Sequence, residues 1–344
     1  MEALKEELTN YCRENQISGV LRITHRDQIL LDSQWGWADR ARQLPFTADS
    51  MFTLYSMSKP FCAMGLLKLK DRELLDLDAH PARYLPEAAG FNPRVTVRQL
   101  LNHTSGIPDF EQTPEFAPFA TADPARIRAQ LPELAKFPQY FPPGTGGRYT
   151  NINYILAALI IENIAAMPYS EYMRREVFAP LGLSRITVDA PAATLAHRVC
   201  GYAHSEAGIQ EVSKSDCWLL GAGDLVAPLS EVYALNLAVK HRLLLSRETW
   251  QEALTPSPIN RKGLMGCTLD LWHGKPRIFH NGGHTGFRTL HIHLLQDDFD
   301  VIFLSNSGFG NARNDLAEII HRHFYGAAPI AGAMDMDTGY IPRL

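Results

Sequence analysis

Strand-like alternation at both ends of the chain, with helical patterns between them, constrains the fold more than any other feature of the sequence. Residues 19–39 alternate apolar and polar positions on either side of His25-Arg26-Asp27, which predicts a β-hairpin. Strand character returns towards the other end in PRIFHNGG, FRTLHIHLLQ and DVIFLSNS. These patterns predict an α/β fold of the α+β kind, in which one sheet is assembled from both ends of the chain.

Helical spacing dominates the middle of the chain, in VTVRQLLN, NYILAALIIENIAA, SEYMRREVFAPLG and SEVYALNLAVKHRLL, and a last helix is predicted in NDLAEIIHRHF. A chain of 344 residues, 46% of them hydrophobic, is long enough to bury a full core. We therefore expect a single unit over residues 1–344. Residues 1–75 and 261–330 would form its sheet part, 76–260 a mostly helical part, and 331–344 a tail.

The composition argues against several classes of partner and ligand. Lysine and arginine total 33 against 37 acidic residues, and a net charge of -4 provides no basic surface for nucleic acid. The five cysteines contain no C-x-x-C pair, so neither a disulfide framework nor a cysteine-rich zinc site is predicted. No H-E-x-x-H helix, P-loop or dinucleotide fingerprint occurs, and we expect no metal and no cofactor.

The start of the chain bears on its location. MEALKEELTNYCRENQ has acidic residues where a signal peptide has basic ones, and it lacks an apolar run. The longest apolar stretch, near Tyr154 to Ile161, is far shorter than the ~20 residues needed to cross a bilayer. The sequence therefore predicts a soluble cytoplasmic protein with no membrane span, although a periplasmic or secreted chain without its leader would look the same. Monomer and dimer both stay open.

Ser56-Met57-Ser58-Lys59 places a hydroxyl and an amine three residues apart, a spacing that puts both side chains on one helix face. A serine hydroxyl becomes a nucleophile when a neighbouring base takes its proton, and a lysine amine can do so when burial lowers its pKa. The alternative is a solvated lysine beside a helix-capping serine. The apolar surroundings FTLYSMSKPFCAMGLLKL disfavour it, because burying such a lysine is costly.

Two further segments carry candidate chemistry. Tyr149-Thr150-Asn151 is the only Tyr-x-Asn of the chain and lies in a Gly/Pro-rich loop just before an apolar helix, where a plain capping segment is the alternative. The phenol can transfer protons, and the amide can hold Lys59 and a substrate carbonyl. Phe279-His280-Asn281-Gly282-Gly283 predicts an edge strand, with glycines where a substrate backbone would approach closely. We assign the oxyanion hole to the N–H groups of Gly283 and Ser56.

Taken in order, these segments resemble the beta-lactamase-like serine hydrolases, a family that includes class C beta-lactamases, DD-peptidases, D-aminopeptidases and related esterases. The resemblance spans roughly residues 18–310. It extends from the hairpin and the approach FTLYS through LLDLDAHPARYLPE, VTVRQLLNHTSGIPDF, PGTGGRYTNINYILAALII and VFAPLGLSR. It implies an antiparallel sheet flanked by helices, with a helical subdomain closing a cleft over the serine.

The resemblance also implies a role for each matching residue. Ser56 is then the nucleophile, Lys59 the general base, Tyr149 the partner in proton transfer and deacylation, and Asn151 a ligand of the substrate and of Lys59. The third motif has two competing positions in this sequence, His280-Asn281-Gly282 and His284-Thr285-Gly286. We prefer the first, since Gly286-Phe287 then supplies the glycine turn that follows the motif strand in the family.

The third motif departs from the Lys-Thr-Gly that beta-lactamases usually carry. A histidine is largely neutral at pH 7, so His280 would hold a substrate carboxylate less firmly than lysine does. Asn281 replaces a smaller residue and would narrow the cleft, leaving Asn151, His280, Asn281 and Gly282 as the expected substrate contacts. The substrate is in doubt while the chemistry is not.

Other histidines are assigned structural roles. His103 lies in a segment that is a structural turn in the resembling family. His291 and His293 share a strand face but have no carboxylate or cysteine at ligand spacing, and His321 and His323 are treated in the same way.

The leading hypothesis is a serine acyl hydrolase that acts through an acyl-enzyme on a small ester, amide or peptide, with D-amino-acid-type amides among the substrates. A true class C-type beta-lactamase and a catalytically silent ligand-binding relative are the alternatives.

Overall fold

The structure is a computed structural model, and it describes residues 1–110, 124–189, 195–206, 208–212 and 219–326. The predicted tail, 331–344, lies outside these ranges. The domain boundaries given above stay a prediction.

A six-stranded antiparallel sheet forms the centre of the fold, and it contains strands from both ends of the chain as predicted. Its order is β2-β1-β11-β10-β9-β8. The strands are β1 (Gly19–His25), β2 (Gln28–Trp35), β8 (Thr268–Trp272), β9 (Lys275–His284), β10 (Phe287–Leu294) and β11 (Phe299–Ser305). The hairpin β1–β2 turns through Arg26 and Asp27, both at positive φ (50° and 62°), a conformation that matches the twist of a tight hairpin.

Helices cover both faces of this sheet. The first and last helices, α1 (Glu2–Glu14) and α9 (Ala312–Tyr325), pack on one face and share a core with Phe279, Leu290 and Ile292. The larger core lies on the other face and contains Ile278 and Ile302 from the sheet together with the buried sides of the central helices. Alternate residues of β9 therefore face opposite layers, and the even-numbered residues face the helical part.

The helical part is built from α2 (Lys59–Asp71), α3 (Val97–Leu101), α4 (Pro124–Leu134), α5 (Ile152–Ala165), α6 (Tyr169–Met173), α7 (Leu229–Lys240) and α8 (Arg247–Ala253). It also contains strands that the helical patterns did not predict. They are β3 (Phe52–Thr53), β4 (Thr187–Val188) and β7 (Leu225–Ala227) in one small sheet, and the hairpin β5 (Gly201–Ser205) with β6 (Gly208–Val212). Strands of two to five residues carry too little alternation to be recognised in a sequence.

Helix α5 is buried almost all round, with every residue from Ile152 to Ile161 inaccessible or nearly so. Such a helix belongs in the centre of a core. It packs against α2, the helix that follows Ser56, and its N-terminus begins directly after Tyr149-Thr150-Asn151. Two of the predicted motifs therefore start neighbouring helices.

Within the described ranges, no single helix combines the length and apolar composition needed to cross a membrane. Helix α5 and the segment Tyr169–Leu181 reach both only as a pair bent by 81°.

Candidate active site

Ser56 lies in a 3-10 turn, Tyr55–Ser58, which leads directly into α2. Tyr55 has φ 46°, a left-handed conformation that non-glycine residues rarely adopt and that often occurs at functional sites. The hydroxyl of Thr289 on β10 donates a hydrogen bond to the Leu54 carbonyl (3.0 Å) and fixes the start of the turn. The turn therefore presents Ser56 from a strained, externally held backbone.

Lys59 is inaccessible to solvent and lies one turn after Ser56. Its Nζ is 3.0 Å from Ser56 Oγ, and it donates hydrogen bonds to Asn151 Oδ1 (2.7 Å) and to the Ala222 carbonyl (2.7 Å). A buried amine is costly unless polar groups surround it, and these contacts supply them. The amine points at the serine, and it does not point into bulk water.

The phenol of Tyr149 completes the group around the serine. Its Oη lies 2.5 Å from Ser56 Oγ, and Lys59 Nζ lies 4.6 Å from the centre of its ring. The ring of His103 stacks on it at 4.5 Å between centroids. Ser56 Oγ therefore has an amine and a phenol within hydrogen-bonding distance, as the sequence predicted for these residue types.

The loop before α5 is held by residues outside the predicted motifs. Asp109 accepts hydrogen bonds from the backbone N–H groups of Asn151 (2.7 Å) and Ile152 (3.4 Å), and so caps the helix N-terminus. The Thr150 N–H donates to His103 Nδ1 (3.3 Å). Burial first, and then the charges of Lys262 and Lys59, lower the pKa of His103 well below its usual value, so this imidazole is neutral. Its contacts fit the structural role given to it from the sequence.

Asp224 positions the carbonyl that accepts a hydrogen bond from the Lys59 amine. Its carboxylate accepts a hydrogen bond from the Gly221 N–H (2.7 Å), in the turn that contains Ala222. Burial raises the pKa of Asp224 to about 7. No sequence motif pointed to this residue, because it acts through the backbone of a turn.

Strand β9 brings the third motif against the nucleophile turn. His280 is buried and on the same strand face as Gly282, and its Nδ1 lies 2.8 Å from the Asn281 carbonyl. Burial first, and then the charges of Lys262 and Lys59, lower the pKa of His280 well below its usual value. The imidazole is therefore neutral near pH 7. Burial and the neighbouring charges favour this neutral form more strongly than the ordinary pKa of histidine does.

Gly282 has a different role from the one its sequence context suggested. A Cβ at this position would lie 2.2 Å from the Leu54 carbonyl oxygen and 3.1 Å from the Met57 nitrogen. The missing side chain thus makes room for the turn that contains Ser56, whereas the sequence predicts room for a substrate backbone.

The other residues of this segment lie around that contact. Asn281 pairs with Leu290 and is on the opposite strand face from His280, while Gly283 is exposed next to Arg288 and Arg313. The substrate contact of Asn281 and the oxyanion role of Gly283 stay predictions. His284, the competing third-motif residue, lies at the end of β9, where its ring is 5.4 Å from that of Tyr55.

Lys262 is a functional candidate that the sequence reasoning missed. It lies in the loop before β8 and its Nζ is 5.7 Å from the centre of the Tyr149 ring. No motif contains it, and its position directly after Asn260 and Arg261 has the appearance of an ordinary polar loop, so no signal in the sequence pointed to it.

The expectation that His291 and His293 lack a nearby carboxylate was wrong. Asp300 of β11 joins them, with its Oδ1 3.1 Å from His291 Nε2 and 3.0 Å from His293 Nδ1. Candidate ligand atoms of His293, Asp298 and Asp300 lie within 4.8 Å of one another, but Asp298 is already paired with Lys240. His321 packs among aromatic rings of Trp272 and His273, and His323 packs against Phe324.

Comparison with known proteins agrees with the resemblance read from the motifs. The chain matches the Beta-lactamase family over residues 4–323. It is 28% identical over 321 residues to penicillin-binding protein 4* of Bacillus subtilis, covering 85% of this chain and 69% of that protein. It is 25% identical over 340 residues to a D-aminopeptidase of Cereibacter sphaeroides, covering 95% of this chain and 65% of that enzyme. Esterase EstB of Burkholderia gladioli is also a relative.

A solved structure shows the same fold. The penicillin-binding protein from Bacillus halodurans superimposes with a TM-score of 0.79 at 23% identity, over 92% of this chain and 99% of that one. The predicted antiparallel sheet flanked by helices is thereby confirmed. The match of nearly the whole chain, the shared fold and the serine hydrolases among its relatives lead to one conclusion: the chain belongs to the beta-lactamase family and is a serine acyl hydrolase of it.

Proposed function

We propose that Ser56 is the nucleophile of this hydrolase and that small esters and D-amino-acid-type amides are its substrates. The observation that carries the proposal is the pair of side chains that meet the Ser56 oxygen, with Lys59 Nζ at 3.0 Å and Tyr149 Oη at 2.5 Å from Ser56 Oγ. The chain spans about two thirds of the length of penicillin-binding protein 4* and of the D-aminopeptidase, and the substrate classes come from the names of the D-aminopeptidase and of esterase EstB.

Acylation begins when Ser56 Oγ attacks the substrate carbonyl and its proton passes to Lys59 Nζ. The negative charge that develops on the carbonyl oxygen is received by the backbone N–H groups of Ser56 and Gly283. Tyr149 then delivers a proton to the departing alcohol or amine, and the bond between the carbonyl carbon and the leaving group breaks. The product is an acyl ester on Ser56.

Deacylation runs through the same groups. The Tyr149 phenolate takes a proton from a water molecule, whose oxygen attacks the acyl carbonyl; the ester bond to Ser56 then breaks, and Ser56 Oγ takes back the proton held by Lys59. Asn151 keeps the amine aimed at the serine throughout, because its Oδ1 accepts a hydrogen bond from Lys59 Nζ at 2.7 Å.

Turnover of a small substrate panel tests the proposal. We expect the wild-type protein to hydrolyse p-nitrophenyl butyrate and D-alanine p-nitroanilide, to leave L-alanine p-nitroanilide nearly untouched, and to lose both activities in Ser56→Ala. A variant that keeps its fold and its wild-type rate would remove Ser56 from the mechanism. Failure of every substrate with the folded wild type would favour a silent ligand-binding relative.

A further inference from the structure

A second lysine, Lys262, lies beside the catalytic group and has no acidic partner among the residues that the structure describes. Its Nζ is 5.7 Å from the centre of the Tyr149 ring, and it donates to the Gly266 carbonyl (3.3 Å) and to Thr268 Oγ1 (3.2 Å). Both hydrogen bonds are long, and both acceptors are neutral. The ammonium is half-buried and its positive charge is left uncompensated by them.

Within the ranges that the structure describes, no carboxylate lies within ion-pair distance of Lys262. Asp270, whose charge acts on Lys262, is bound by Arg277 through Nε at 2.7 Å. Burial lowers the pKa of Lys262, while Cys267 and Asp270 raise it. A half-buried cation without a counter-ion is costly, so this arrangement indicates that an anion from outside the chain completes the site.

The neighbouring imidazoles do not compete for that anion. The positive charge of Lys262 is, after burial, the main cause that lowers the pKa values of His280 and His103. Both imidazoles are therefore uncharged near pH 7. Lys262 therefore supplies a positive charge that His280 does not, so the weak binding of anions expected from His280 alone does not describe the whole site.

We propose that Lys262 forms an anion-binding subsite that receives a carboxylate carried by the leaving group of the substrate. The inference rests on the proposed function, because it uses the orientation set by Ser56 and Tyr149. Tyr149 hands its proton to the leaving group, and its Oη lies 2.5 Å from Ser56 Oγ. Lys262 approaches the ring of the same tyrosine, so an acidic group beyond the scissile bond on that side meets its ammonium.

A matched pair of esters tests the subsite. The butyryl esters of meta-hydroxybenzoic acid and meta-hydroxybenzamide differ only in a carboxylate against a carboxamide on the leaving phenol. We expect wild-type kcat/KM to favour the carboxylate ester. In Lys262→Met the ratio of the two kcat/KM values should fall roughly tenfold or more, as expected for loss of a hydrogen bond to a charged group. Lys262→Arg should restore most of the preference.

Lys5→Met is the matched control, because Lys5 is exposed on α1 across the sheet from the site, and its ratio should equal that of the wild type. An equal loss on both esters in Lys262→Met, or a wild type that prefers the carboxamide, would overturn the subsite. If Lys262→Met does not fold, product inhibition of the wild type decides, since meta-hydroxybenzoate must then inhibit more strongly than meta-hydroxybenzamide.

Labelling of Ser56 by a fluorophosphonate separates the proposed subsite from the proposed function. A labelled wild type without carboxylate preference refutes only the subsite, and an unlabelled one refutes the proposed function.

Discussion

Replacing Gly282 by alanine tests whether β9 holds the nucleophile turn in place. The added Cβ would lie 2.2 Å from the Leu54 carbonyl oxygen and 2.5 Å from Thr289 Oγ1. Real Cβ atoms are almost never closer than 3.0 Å to another heavy atom, so strand and turn must separate by at least about 0.8 Å, the difference between 3.0 and 2.2 Å. The hydrogen bond from Thr289 to Leu54 lies in the path of this movement.

Both stability and catalysis should respond to that shift. Overpacking of this kind costs about 1–3 kcal/mol, which corresponds to a fall in Tm of roughly 1.5–4 °C in a chain of 344 residues. A misplacement of about 1 Å between nucleophile and base can reduce the rate about 100-fold. We therefore expect Gly282→Ala to lower kcat/KM for p-nitrophenyl butyrate by roughly that factor, while circular dichroism shows a folded protein.

Gly19→Ala is the control, because its Cβ would also clash with backbone, 2.6 Å from the Leu304 carbonyl oxygen. Strand β1 lies three strands from β9 in the sheet, about 14 Å away at the usual strand spacing. This variant should lose stability and keep the kcat/KM of its folded fraction. If Gly282→Ala keeps wild-type kcat/KM and Tm, the claim that the strand fixes the turn is wrong.

Two further predictions concern the surroundings of the catalytic group. Asn151→Ala removes an acceptor of the Lys59 amine, a hydrogen bond that becomes charge-assisted once Lys59 has taken the Ser56 proton, so kcat/KM should fall roughly 10- to 100-fold; an unchanged kcat would contradict this. The free energy of unfolding should depend on pH through buried groups. Burial lowers the pKa values of His103 and His280, so near pH 5 unfolding takes up a proton on each, whereas burial raises the pKa of Asp224 to about 7, so unfolding releases one there. The contribution of these three groups to the free energy of unfolding therefore rises with pH, and is lost as the pH falls, with a slope of one net proton in the wild type and two in Asp224→Asn. The slope in the variant should be steeper by about 1.4 kcal/mol per pH unit between about pH 4.5 and 6, measured by urea unfolding, and equal slopes would refute the assignment.

Alternation, helical spacing, and apolar runs of the right length between turn signals were sufficient to predict the hairpin β1–β2, the strands β9, β10 and β11 and the helix α7. Helix α5 was predicted from an apolar run too long for a strand, because its apolar residues lie all round and show no repeat. The spacing of Ser56 and Lys59 likewise predicted their proximity, since three residues along a helical turn fix it locally. The position of Tyr149 depended on the resemblance to a family, because Tyr149 and Ser56 are separated by 93 residues.

Contacts that depend on strand register or on loop conformation could not be predicted from the sequence. Asp300 reaches His291 and His293 only because β10 and β11 pair with His293 opposite Asp300, and no local spacing shows that register. Lys262 reaches Tyr149 from a loop that matches no motif. The need for a glycine at position 282 could not be predicted either, since the carbonyl that a side chain would clash with belongs to Leu54, far away in the chain.

Covalent labelling tests the central claim, that Lys59 activates Ser56, more directly than any rate on a chosen substrate. Wild type, Ser56→Ala and Lys59→Met would be treated with a fluorophosphonate and followed by intact-protein mass and peptide mapping. The account predicts one adduct on Ser56 in the wild type, none in Ser56→Ala, and labelling slowed at least about 100-fold in folded Lys59→Met. An adduct that persists in Ser56→Ala, or wild-type labelling of Lys59→Met, would contradict it.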